Sequence, residues 1–79
     1  MSPTVFRASG FRFFFFSREE PRLHVHVTCA EGEAKFWIEP RIELAQNHRL
    51  DERQLAVIED LIRAHEKQIR AAWQAHFRG

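Results

Sequence analysis

Two histidines, His24 and His26, form the pattern in this sequence best suited to chemistry. They stand two positions apart in a run that alternates between apolar and polar residues, so in an extended strand both imidazoles leave one face about 6.6 Å apart. Two imidazoles at that spacing can bind one divalent cation such as zinc. The alternative interpretation is a pair of solvent-facing or hydrogen-bonded histidines opposite a valine core face.

A third histidine, His65, falls on the apolar stripe of a predicted helix. A polar ring in that position needs a partner, because burying an unpaired polar group costs about 1–3 kcal/mol. A backbone carbonyl or a carboxylate is the usual partner. If the helix packs on the strand face that carries His24 and His26, the three rings converge on a metal ion or an anion. If the helix packs on the valine face, they do not, and the sequence leaves both packings open.

Other catalytic patterns are sparse in this chain. The three glycines form no phosphate-binding loop, and Cys29 ends a strand beside Glu31, an acidic setting that does not activate a thiol. An enzyme built on the three histidines would be a hydrolase or nuclease that uses a metal-bound water or a histidine base. The residues favour a protein that is not an enzyme over this alternative.

The elements that position these residues follow from the hydrophobic pattern. Strand-forming residues occupy segments 4–8, 11–16, 23–28, 34–39 and 41–45, with a turn at Ser9-Gly10, a loop over 17–22 and a turn over 30–33. The run from Phe11 to Phe16 is aromatic on both faces, which is typical of a strand covered on both sides. The first 45 residues therefore form a strand-rich half.

Residues 51–77 are predicted to form one amphipathic helix. Asp51 is a suitable N-cap, Gln54 completes a capping box, and Leu50 can pack on Leu55 as a hydrophobic staple. Apolar residues recur at helical spacing at Leu55, Ile58, Leu61, Ile62, Ile69, Ala72 and Trp73. The predicted fold is α+β, with a small antiparallel sheet of three to five strands and one long C-terminal helix on one face.

Length and composition limit the function classes. Seventy-nine residues with one cysteine predict a single domain, 1–79, without disulfides, so a metal ion or a second subunit is the expected source of extra stability. A net charge of +1 argues against nucleic acid as a partner. No apolar run is long enough to cross a membrane and no secretory signal is visible, so we expect a cytoplasmic protein.

The aromatic residues predict a binding surface. Phe14, Phe16 and Trp37 point away from the face that a single helix can cover, and uncovered apolar patches usually mark interfaces. We therefore expect a homo-oligomer or a complex with a second small protein.

The order of the motifs resembles a family of small bacterial proteins catalogued as domain of unknown function 4160. The resemblance rests on Pro3-Thr4-Val5-Phe6, Gly10-Phe11-Arg12-Phe13-Phe14-Phe15, His24-Val25-His26-Val27, Ala34-Lys35-Phe36-Trp37, and on His65 and Trp73. It implies a compact sheet-plus-helix protein, often encoded beside a second small domain, in an arrangement of the toxin–antitoxin kind. It also places His24, His26 and His65 at matching motif positions.

Overall fold

A computed structural model describes residues 4–16 and 21–77, in which five strands are followed by two helices. The elements are β1 (Thr4–Ala8), β2 (Phe11–Phe14), β3 (His24–Thr28), β4 (Glu33–Trp37), β5 (Glu43–His48), α1 (Glu52–Ala64) and α2 (Glu66–His76). The strands form one antiparallel sheet in the order β1-β2-β3-β4-β5. The predicted α+β class with an antiparallel sheet is confirmed. The predicted loop over residues 17–22 lies mostly outside the described residues.

Tight turns join neighbouring strands. Between β1 and β2, Ser9 and Gly10 have φ values of 52° and 82°, a left-handed pair typical of two-residue hairpin turns. Between β3 and β4, a Cβ atom added at Gly32 would lie 2.1 Å from the backbone oxygen of His48. The end of β5 therefore packs directly on this turn, and glycine is required there by the close approach.

Strand register assigns each side chain to one face of the sheet. Phe13 lies opposite Val27, and Val25 lies opposite Phe36. We call the side that carries these residues the inner face; it comprises Phe11, Phe13, Val25, Val27, Ala34 and Phe36, all buried. The helices cover this face, and Ile58, Ile62 and Ile69 are completely buried against it. The valine side, and not the histidine side, thus faces the helices.

The start of α1 matches the prediction. The Gln54 N–H donates to the Asp51 carboxylate at 2.8 Å, and the Gln54 side-chain oxygen accepts from the Asp51 N–H at 3.1 Å. This reciprocal capping box satisfies two of the backbone donors that a helix start leaves unpaired. Leu50 is buried just before the cap, as expected for a hydrophobic staple.

The prediction of one continuous helix is only partly correct, because His65 separates α1 from α2. Its φ of −111° and ψ of 17° depart from helical values, and its N–H is shared between the carbonyls of Leu61 and Ile62. The His65 side chain also donates from Nδ1 to the Leu61 carbonyl at 2.9 Å. A side chain that bonds to the carbonyl four residues earlier competes with the backbone and bends the helix.

The fifth strand begins and ends later than predicted. It was expected over residues 41–45 and is observed over Glu43–His48, with an irregular register opposite Lys35 and Phe36. Pairing with β4 extends the strand through Gln46 and Asn47, although their strand propensity is low.

Within the described residues, no helix has the length and apolar character that crossing a membrane requires.

Candidate functional site: the outer face of the sheet

The side of the sheet opposite the helices carries most of the residues singled out from the sequence. We call it the outer face, and by register it comprises Arg12, Phe14, His24, His26, Thr28, Glu33, Lys35, Trp37, Gln46 and His48. The strict alternation of β3 places both of its histidines there, while its valines enter the core.

Aromatic rings make a connected track on the outer face. Phe16, which follows β2, contacts Phe14 at 5.3 Å and His26 at 4.3 Å between ring centroids. Phe14 also lies 5.5 Å from His26. Phe14 is only 6% exposed, whereas Phe16 is 43% exposed. Phe16 is therefore an accessible ring held in place by its neighbours.

His24 continues the track toward the end of the sheet. Its ring is completely buried and lies 5.0 Å from His26, 5.5 Å from Trp37 and 5.2 Å from Trp73 of α2. Its Nδ1 lies 2.6 Å from the Arg22 carbonyl oxygen. Because a carbonyl can only accept a hydrogen bond, Nδ1 carries the proton, and a neutral ring has its lone pair on Nε2.

Cations flank the aromatic track, a feature that the sequence reading missed. The Arg22 guanidinium lies 4.1 Å and the Lys35 ammonium 4.4 Å from the centroid of Trp37. The Arg12 guanidinium lies 4.5 Å from the centroid of Phe14. Such contacts are favourable electrostatically. Residues two positions apart share a face in any strand, so the spacing of Lys35 and Trp37 could have predicted the contact between them.

His65 is half-buried on the helix side of the sheet, away from the other two histidines. Its ring stacks on Phe6 at 4.0 Å, and Phe6 stacks on Phe13 of the inner face at 4.2 Å. The structure thus brings His24 and His26 together and does not bring His65 to them. Among the described residues, no group of three or more histidine, cysteine, aspartate or glutamate side chains is placed to hold a metal ion. The three histidines would converge only if the helices covered the outer face, and the helices cover the inner face.

Replacing His65 with phenylalanine is expected to preserve the fold. The substituted ring keeps the stack on Phe6 and loses only the hydrogen bond to Leu61, a change of about 1 kcal/mol in the free energy of unfolding. Denaturant titration measures it. His65→Ala removes the stack as well and is the matched control with the larger expected loss. Equal losses for the two variants would contradict a packing role for this ring.

A surface groove of about 470 Å³ opens beside the aromatic track. Phe16 and His26 line it from the track, and Gln46 and His48 line it from β5. The turn after β3 also contributes Cys29, whose thiol donates to the Glu31 carboxylate at 3.3 Å. The groove is concave, polar over much of its lining and bordered by one exposed aromatic ring.

The last helix holds the Phe16 end of the track in position. The His76 Nε2 lies 3.0 Å from the Phe16 carbonyl oxygen and donates to it. Arg70 forms ion pairs with Glu39, after β4, and with Glu66. The hydrogen bonds that Arg70 donates to the Glu39 carboxylate first, and then to the Glu66 carboxylate, raise the pKa of Arg70 above its ordinary value. These contacts tie α2 to the end of the sheet where Phe16 emerges.

Comparison with protein families gives one result. The model of a family described as a domain of unknown function (DUF4160) matches residues 10–74, most of the chain. The chain belongs to the DUF4160 family. The DUF4160 match spans β2 to β5, α1 and most of α2, and it includes the aromatic track. No curated protein and no solved structure matches the chain.

Proposed function

We propose that this DUF4160 chain is a small protein-interaction module that binds a second small protein on its outer face. The exposure of Phe16 at the border of the groove carries the proposal. An aromatic ring held rigidly by its neighbours loses little conformational entropy on binding, and such rings dominate the energetics of many interfaces.

The surroundings of Phe16 support the same assignment. Phe14 and Trp37, the other two predicted interface residues, lie on the same face; Phe14 is buried beneath Phe16 and Arg12, and Trp37 is half-buried beside two cations. They would act as the supporting layer, with Phe16 as the residue that enters the partner.

The partner of first choice is the protein encoded beside this one. The family resemblance implies such a neighbour and an arrangement of the toxin–antitoxin kind. The two proteins would form a complex through the outer face, and the complex would hold the neighbour inactive. No catalytic group of this chain is needed for that role.

Phe16→Ser is expected to weaken binding of the neighbouring protein by about thirtyfold, because an anchoring aromatic residue contributes about 2 kcal/mol or more. Isothermal titration calorimetry with the purified proteins measures the dissociation constant. Val57→Ser is the matched control, since Val57 is 37% exposed on α1, which packs on the opposite side of the sheet. Equal affinity of both variants, or no complex with the wild-type chain, would refute binding through this face.

Growth measurements test the regulatory part separately. If the pair is of the toxin–antitoxin kind, expression of the neighbour alone slows growth and co-expression of this chain restores it. The Phe16→Ser chain should fail to restore growth, while Val57→Ser should succeed. Normal growth with the neighbour expressed alone would refute the toxin–antitoxin role. It would not affect the proposed binding through the outer face, which calorimetry tests independently.

A further inference from the structure

The two edges of the sheet differ in their protection. At the β1 edge, the Gln68 side chain donates to the Val5 carbonyl at 3.2 Å, and α2 packs beside the strand. At the β5 edge, the described residues place no comparable side-chain hydrogen bond on the strand backbone. β5 also contains neither lysine nor proline, the residues that most often block pairing at an exposed edge. The β5 edge is therefore open to a further strand.

The hydrogen bonds of β4 determine which of its backbone groups face β5. The Ile38 N–H donates to the Leu23 carbonyl at 3.0 Å, so Ile38 faces β3. Backbone groups alternate in direction along an antiparallel strand, and Phe36 and Ala34 therefore also face β3. At the other end of β3 and β4, the Cys29 N–H donates to the Gly32 carbonyl at 3.0 Å. Gly32 therefore faces β3, and the same alternation again places Ala34 and Phe36 toward β3.

The same alternation identifies the outward groups of β5. Leu44 is paired with Phe36, and Asn47 is paired with Ala34. Because Phe36 and Ala34 direct their backbone groups to β3, these are the pairs without hydrogen bonds. The N–H and C=O groups of Leu44 and Asn47 therefore point away from the sheet, toward any strand that arrives at this edge.

These groups are complementary to those of a second copy. The register irregularity of β5 places one extra residue, Ala45, between Leu44 and Gln46, so Leu44 and Asn47 share a face. In an antiparallel pair related by a two-fold axis, Leu44 of each copy can therefore lie opposite Asn47 of the other. Both residues lie on the inner side of β5, so the faces of the two sheets match. Leu44, 42% exposed in the single chain, becomes covered by the added strand.

Charge complementarity favours the same register. With Leu44 opposite Asn47, Glu43 of each copy lies opposite His48 of the other, and both side chains lie on the outer side of β5. The two-fold axis creates this acid–imidazole pair twice. Opposite charges in directly facing positions stabilise a strand pair, and like charges destabilise it.

We propose that β5 is a self-association edge, through which two copies join their sheets into one continuous sheet with Leu44 paired to Asn47 and Glu43 paired to His48. This interface adjoins the outer face at His48 but does not include Phe16, so a homodimer can present two Phe16 rings to its partner.

Charge reversal tests the register. Glu43→Lys alone removes the carboxylate that faces each imidazole, and His48→Glu alone places two carboxylates opposite each other in both symmetric pairs. Each variant should weaken the dimer about tenfold in analytical ultracentrifugation. An equimolar mixture of the two variants restores one opposite-charge pair and keeps the native pair, so it should form a heterodimer with near-native affinity. Circular dichroism melting of each variant verifies that it is folded.

Amide exchange gives a second readout that does not depend on substitutions. In the wild-type chain, protection of the Leu44 and Asn47 amides should rise with protein concentration, while amides of β4 stay constant. A wild-type chain that is monomeric at millimolar concentration overturns the proposal. So does a dimer that neither charge reversal weakens; if Phe16→Ser dissociates that dimer, the copies meet through the outer face instead.

Discussion

Phe13→Ala should produce the largest loss of stability of any substitution in the sheet. Phe13 is completely buried at the centre of the inner face, where it stacks on Phe6 and lies opposite Val27. Truncating a buried phenylalanine costs about 3–5 kcal/mol. A chain of this length has about 4–12 kcal/mol of folding free energy in total, so the variant should lose about a quarter of it or more. Urea unfolding of the full chain measures the change.

Phe16→Ala is the matched control for Phe13→Ala. It removes the same number of atoms from a ring that is 43% exposed on the outer face, so the expected loss is about 1 kcal/mol or less. If Phe13→Ala prevents folding altogether, Phe13→Leu, which leaves a smaller cavity, gives a measurable intermediate value. Similar losses at positions 13 and 16 would show that the helices do not cover the inner face.

Gly32→Ala is expected to cost about 2–3 kcal/mol through overpacking. The added Cβ would lie 2.1 Å from the His48 oxygen and 3.0 Å from the Cβ of Arg49. The His48 oxygen belongs to the backbone of β5, and the Arg49 Cβ is attached directly to the backbone of the residue after it, so neither atom can move without shifting the end of β5. For a chain of this size the melting temperature should fall by about 10–20 °C, as measured by circular dichroism.

Substitutions at Gly10 separate this steric effect from backbone strain. Gly10 has a φ of 82° but no heavy atom within 4 Å of an added Cβ, so Gly10→Ala pays only the left-handed backbone cost of about 1–2 kcal/mol. Gly10→Asn should recover part of that loss, because asparagine tolerates this region. Gly32→Asn should recover nothing. A Gly32→Ala variant as stable as the wild type would contradict the close packing of β5 on the turn.

Local patterns in the sequence determined much of the fold. The alternation in β3 and the spacing of Ile58, Ile62 and Ile69 predicted a strand and an amphipathic helix, because each pattern records which side of one element is buried. The capping box at Asp51 was predictable for the same reason, since both of its partners lie within four residues. These features depend on near neighbours in the chain.

Features that depend on distant contacts could not be read in the same way. The face covered by the helices is set by strand register, which gathers Phe11, Phe13 and Phe36 on the valine side. His65 stacks on Phe6, almost sixty residues away, a contact that no pattern within the helix predicts. The candidate site shows the same division. The alternation of β3 predicted that His24 and His26 lie together, whereas only the tertiary packing shows that His65 lies elsewhere.

The position of the two indoles has a practical consequence for spectroscopy. The chain contains no tyrosine, and its two tryptophans both contact the His24 ring, at 5.5 Å from Trp37 and 5.2 Å from Trp73. Intrinsic fluorescence therefore originates at one end of the sheet, around a single imidazole, whereas far-ultraviolet dichroism reports mainly on α1 and α2. Coincident unfolding curves from the two signals would show that sheet end and helices melt as one cooperative unit.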